Sequence, residues 1–165
     1  MGCGKSSVGR ALSELLCCPF VDLDSVIEEN AGRSIPEIFS SDGEAVFRRM
    51  EAETLDKVIH QDFGTSMILA LGGGTVMTPE CAEIVSSHTL CIYLRASVQT
   101  LVSHLENEAA GRPMLEAPDL RGRILKLMSL RSATYENTAR LIIDTDGKTI
   151  EEVASEIIST LGLRG

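Results

Sequence analysis

The chain has 165 residues, 44% of them hydrophobic, which suits one domain able to bury roughly 70% of its unfolded surface. Its 24 acidic residues outweigh 15 basic ones for a net charge of −9, which argues against a general nucleic-acid or anionic-membrane binder, so any anionic ligand must be met by a local cluster of Arg and Lys. No apolar run approaches the ~20 residues of a membrane span and no signal peptide is visible; Cys3, Cys17, Cys18, Cys81 and Cys91 lack disulfide or metal-ligand spacing, so reduced thiols in the cytoplasm are expected.

Gly2-Cys3-Gly4-Lys5-Ser6-Ser7 reads as the back half of a phosphate-binding loop, G-x-x-x-x-G-K-[ST]. Its glycines let successive N–H groups converge on one anion, Lys5 adds a full charge, and the Ser6 hydroxyl is placed to ligate Mg²⁺. Val8, Ala11, Leu12, Leu15 and Leu16 recur at helical spacing, so a helix follows whose positive end faces the loop. The first glycine of the pattern and the strand that should feed it are absent. A start about ten residues upstream is therefore expected, from a usual strand length of ~5–6 residues plus the loop's opening. The same residues fit an N-myristoylation pattern, but that reading accounts for neither the helix nor anything downstream.

Pro19-Phe20-Val21-Asp22-Leu23-Asp24 is expected as a strand ending in two carboxylates that face one side. Asp22 is placed to serve a Mg²⁺–nucleotide site beside Ser6, with a helix cap as the alternative. Asp24 is suited to take a hydrogen bond or proton from a substrate hydroxyl, with a solvated turn acid as the alternative. A helix through Val26, Ile27 and Ala31 comes next, then a capping box at Ser34 and Glu37. Asp42 is expected to cap a longer helix with Phe47, Met50, Thr54, Leu55, Val58 and Ile59 on its apolar side, where Arg48 and Glu51 can pair.

Ser66–Leu71 is an apolar run expected as a buried strand, and Gly72-Gly73-Gly74 after it lets another group approach the backbone closely. Thr78-Pro79-Glu80 starts a helix. Leu90–Leu94 is the next strand and Ser97 caps the helix behind it. Residues 107–119, around Gly111-Arg112-Pro113, break the pattern and form a candidate lid that would bring Arg112 onto a transferring phosphate. A long helix carries Ile124, Leu127, Met128 and Arg131 towards Tyr135. Leu141–Ile143 is the last strand, and Thr149 caps a final helix. Arg48 and Arg131 take on a binding role only if a second ligand bears a carboxylate. His60, His88 and His104 form no triad or metal set and are read as structural. Strands alternating with helices imply an α/β fold, one parallel sheet with helices on both faces, in a single domain over 1–165.

In this order and spacing, Gly2-Cys3-Gly4-Lys5-Ser6, Asp22-x-Asp24, Phe47-Arg48-x-x-Glu51, Gly72-Gly73-Gly74, Gly111-Arg112-Pro113 and Arg131 resemble the shikimate kinase family along nearly the whole chain. The resemblance implies a three-layer P-loop fold of the nucleoside-monophosphate-kinase type. Its parallel sheet would have five strands, the first absent or truncated here, with a substrate-binding helical segment over 24–61 and a lid over 107–119. It also implies ATP-dependent phosphorylation of the shikimate 3-hydroxyl in aromatic amino-acid synthesis by a cytoplasmic monomer. Carried over, Gly2 to Ser7 would hold the phosphates, with Lys5 on the β- and γ-groups, and Ser6 and Asp22 would serve Mg²⁺. Asp24 would hold the shikimate hydroxyls and act as base. Arg48 and Arg131 would grip its carboxylate beside Gly72, Gly73 and Gly74. Arg112 would close on the phosphates, and Lys148 belongs to the adenine loop Asp144-Thr145-Asp146-Gly147-Lys148.

Two features depart from the family pattern. Ser103-His104-Leu105-Glu106-Asn107 stands where a second arginine often precedes the lid arginine. The absent first strand would lie in mid-sheet, leaving two inner strands unpartnered at ~1–3 kcal/mol per unsatisfied buried group. Low stability and weak turnover are expected of the 165-residue chain.

Overall fold

A computed structural model describes residues 2–109 and 119–163. Strands and helices alternate along the chain: α1 (Lys5–Leu15), β1 (Phe20–Asp22), α2 (Leu23–Ala31), α3 (Ile35–Ser41), α4 (Glu44–His60), β2 (Ile68–Ala70), a 3-10 turn (Thr75–Met77), α5 (Pro79–His88), β3 (Ile92–Arg95), α6 (Val98–Ala109), α7 (Leu120–Thr138), β4 (Leu141–Asp144) and α8 (Ile150–Leu161). All pairing is parallel, as buried apolar runs separated by helices require. β1 pairs with β2 in the register Phe20↔Ile68 to Asp22↔Ala70, and β3 with β4 from Ile92↔Leu141 to Arg95↔Asp144. The single sheet expected from the sequence is thus two two-stranded sheets. Among the described residues, each of the four strands has a strand neighbour on one side only.

Local chemistry sets most element ends. Ser34 and Glu37 form a reciprocal capping box at α3, and Thr149 and Glu152 do the same at α8. Ser97 Oγ accepts from the Thr100 amide at 3.3 Å to start α6. Pro79 occupies the first turn of α5, whose N-cap is Thr78, although the Thr78 side chain makes no capping bond. Asp42 departs from expectation. It lies at the C-terminus of α3, where Arg33 holds its carboxylate at 2.5 Å, and Gly43 begins α4 instead.

The core lies in two main clusters. Leu23, Ile27, Ile38, Phe47, Leu55 and Val85 join α2 through α5, whereas Val8, Leu12, Leu94, Ile143, Val153 and Ile157 join α1, β3, β4 and α8. Gly9 lets α1 lie directly on β1: a Cβ there would sit 2.6 Å from the Phe20 ring. That contact brings the start of α1 beside the end of β1, where the chemistry converges.

Candidate active site

The phosphate loop is built by left-handed glycines. Gly2 has φ 67° and Gly4 φ 74°, and Gly4 is the N-cap of α1. The loop is clasped from the far side of the sequence, because the His104 ring Nδ1 lies 2.7 Å from the Gly2 carbonyl. A carbonyl only accepts, so Nδ1 carries the proton. From α6, His104 thus has the structural role expected of it, exercised on the loop. Lys5 follows Gly4 at the helix start, half-buried, with its ammonium 4.0 Å from the Cys3 sulfur. Ser6 and Ser7 are exposed.

Asp22 caps α2 and also reaches the phosphate loop. One carboxylate oxygen accepts the Asp24 and Ser25 amides at 3.2 and 3.5 Å and caps α2. The other accepts the Ser6 hydroxyl at 2.8 Å. This cap corrects the expectation for Asp24. The strand ends at Asp22, and Asp24 lies in the first turn of α2 rather than sharing a strand face with Asp22. Burial pushes the Asp24 carboxyl above its ordinary pKa, and the nearby Asp22 and Glu51 charges push the same way against Lys5.

The three glycines after β2 each meet a different side chain. A Cβ at Gly72 would sit 2.8 Å from Asp24 Oδ1, and one at Gly74 would sit 2.7 Å from the Arg48 guanidinium. Between them, the Gly73 carbonyl accepts Arg131 Nη1 at 3.0 Å and the Tyr135 hydroxyl. Arg48, on α4, donates to Glu51 at 2.8 Å and to Glu44 at 3.2 Å. Glu51 is 1% exposed, and its other oxygen accepts the hydroxyl of the fully buried Thr75 at 2.7 Å. Glu51 was legible as a partner of Arg48 but not as a buried junction, and neither Thr75 nor Tyr135 was singled out. Lys5, Gly72, Gly73 and Tyr135 line one cleft of about 100 Å³. Arg131 lines a second of about 70 Å³ that shares Cys3, Tyr93 and Tyr135 with it.

The sequence model of a protein family described as shikimate kinase matches residues 1–162. The chain belongs to the shikimate kinase family. A shikimate kinase of Marinomonas sp. is 37% identical over 98% of this chain and 87% of its own length, and one of Thermus thermophilus is 38% identical over 98% and 85%. The solved shikimate kinase from Acinetobacter baumannii in complex with shikimate superposes with a TM-score of 0.87 at 29% identity, covering 98% of this chain and 88% of its own. That from Bacteroides thetaiotaomicron gives 0.88 at 27% identity over 99% and 94%. The α/β class and the P-loop kinase fold read from the sequence are those of this shikimate kinase family.

One expected site residue, Lys148, is engaged elsewhere. Lys148 pairs with Glu156 of α8 at 2.5 Å, while its neighbour Asp146 accepts the Ser97 amide and ties the loop after β4 to that after β3. Arg112 and the rest of 110–118 lie outside the described residues, whereas 107–109, expected to open the lid, still belong to α6. No described helix is long and apolar enough to cross a membrane.

Proposed function

We propose that this chain transfers the γ-phosphoryl group of ATP to the 3-hydroxyl of shikimate. Asp24 is the base: it takes the hydroxyl proton as the new O–P bond forms at the γ-phosphorus and the bond to the β-bridging oxygen breaks, releasing ADP. Its raised pKa suits a carboxylate that must hold a proton briefly. Arg48 and Arg131 bind the acceptor's carboxylate, with Gly72, Gly73 and Gly74 as the wall that their side chains approach. Gly2 to Ser7 cradle the phosphates with their amides, Lys5 neutralises the β- and γ-groups, and Arg112 closes over them from the 107–119 segment. Lys148 stands in the adenine loop. The segment 24–61 forms the acceptor-binding region within one kinase domain, which works as a monomer in the cytoplasm.

Ser6 and Asp22 would hold Mg²⁺. Their oxygens already lie 2.8 Å apart. Among the described residues no cluster of three or more metal-ligating side chains exists, which suits an ion bound by one or two protein oxygens and by substrate phosphates. When bound, the ion neutralises charge that develops on the phosphate oxygens.

The observation that carries this reading is the glycine run, with one carboxylate and two guanidinium groups each held against a different glycine. Such a wall fits a small acceptor bearing both hydroxyls and a carboxylate. Gluconate shares that outline, so an ADP-release assay should compare shikimate, gluconate and nucleoside monophosphates. Turnover with shikimate alone is expected; shikimate-independent turnover with either of the others would overturn the assignment.

A further inference from the structure

We infer that Thr75 is a positioning residue for the acceptor's carboxylate, acting through Glu51 on Arg48. The inference rests on the acceptor reading above. The Glu51 carboxylate has two oxygens and both are committed: one accepts Arg48 Nη1 at 2.8 Å and the other accepts Thr75 Oγ1 at 2.7 Å. Both residues are removed from water, Glu51 at 1% and Thr75 at 0% exposure. Water therefore has little access with which to replace either bond, and a rotation of Glu51 away from Arg48 would forfeit both at once.

The anchor is itself fixed. Thr75 opens the 3-10 turn, and its amide donates to the Gly72 carbonyl at 3.2 Å. A Cβ on Gly72 would meet Thr75 Oγ1 at 3.2 Å and Glu51 Oε1 at 3.4 Å, so the glycine closes over this junction. The chain of contacts thus runs from the backbone of the glycine run, through Thr75 and Glu51, to the guanidinium that lies against Gly74. Arg48 has a further carboxylate partner, Glu44, but that residue is 68% exposed and an exposed pair holds a geometry weakly. The buried arm through Thr75 is the one that sets where Arg48 points.

Two substitutions separate the hydroxyl from the packing of its methyl group. Thr75→Val keeps the shape and removes the donor, whereas Thr75→Ser keeps the donor and removes the methyl. Thr75→Ala carries the same expectation as Thr75→Val should the valine variant fail to fold. Shikimate binding is measured by calorimetry without nucleotide, and KM for shikimate and for ATP in the kinase assay, alongside thermal melts. Thr75→Val is expected to raise the Kd and KM for shikimate roughly tenfold, the scale of one lost hydrogen bond to a charged group. KM for ATP stays within about twofold, and Thr75→Ser binds shikimate like the unsubstituted chain. Unchanged shikimate binding in Thr75→Val, or equal impairment in Thr75→Ser, would overturn the inference. Failure of the unsubstituted chain to bind shikimate would instead overturn the acceptor reading, and this inference with it.

Discussion

The proposed acceptor side and the proposed phosphate side of the site are held in different ways. On the acceptor side, Asp24, Arg48 and Arg131 are pressed against consecutive glycines, and Thr75, Glu51 and Tyr135 secure them from behind. On the phosphate side, Ser6 and Ser7 are exposed, and among the described residues the Lys5 ammonium makes only a weak contact, with the Cys3 sulfur. A pre-organised wall loses little freedom when it takes up a rigid ring acid. Loop amides and a flexible lysine gain most of their order from the anion itself. The difference teaches that the two substrates should respond to separate sets of substitutions.

Removal of the proposed base should have the largest effect. Asp24→Asn is expected to lower kcat about 10³-fold. The same change should raise Tm at pH 7, because the folded chain holds the Asp24 pKa above its unfolded value and the ionised carboxylate therefore costs stability at neutral pH. That cost fades as pH falls through the raised pKa, so the gain in Tm should vanish below about pH 4, the ordinary carboxylate value. A Tm gain that persists there would point to a packing effect.

Lys5→Met comes next, with kcat/KM for ATP down about 10²-fold and shikimate binding unchanged. If both substrates suffered equally, the separation of the two sides would be wrong. Gly74→Ala should do the converse. Its new methyl group would have to displace an Arg48 guanidinium 2.7 Å away, raising KM for shikimate roughly ten- to thirtyfold while KM for ATP holds. The smallest effect belongs to Glu44→Ala, which removes the exposed partner of Arg48 and should shift KM for shikimate by less than about twofold.

How much of this was readable in the sequence depended on how local the physics was. The capping box at Ser34, the Thr149 cap, the helix behind the phosphate loop and the parallel pairing all follow from contacts within a few residues or from apolar runs. The family pattern brought Asp22, Asp24, Arg48, the glycine run and Arg131 into one proposal, and the geometry adds how they are held. Asp24 defeats the period-two argument because the Asp22 side chain caps the backbone and ends the strand two residues before Asp24. Asp42 is drawn into a pair with Arg33, and Gly43 takes the cap position of α4. The Glu51–Thr75 junction spans 24 residues and the His104 clasp on Gly2 spans 102, and no periodicity or spacing rule reaches that far.

The claim that the acceptor wall is complete without nucleotide is tested most directly by calorimetric titration of shikimate into the chain with no ATP and no Mg²⁺ present. Saturable one-to-one binding is predicted, abolished by Arg131→Met and left intact by Lys5→Met. Binding that required nucleotide, or that disappeared with Lys5, would contradict it.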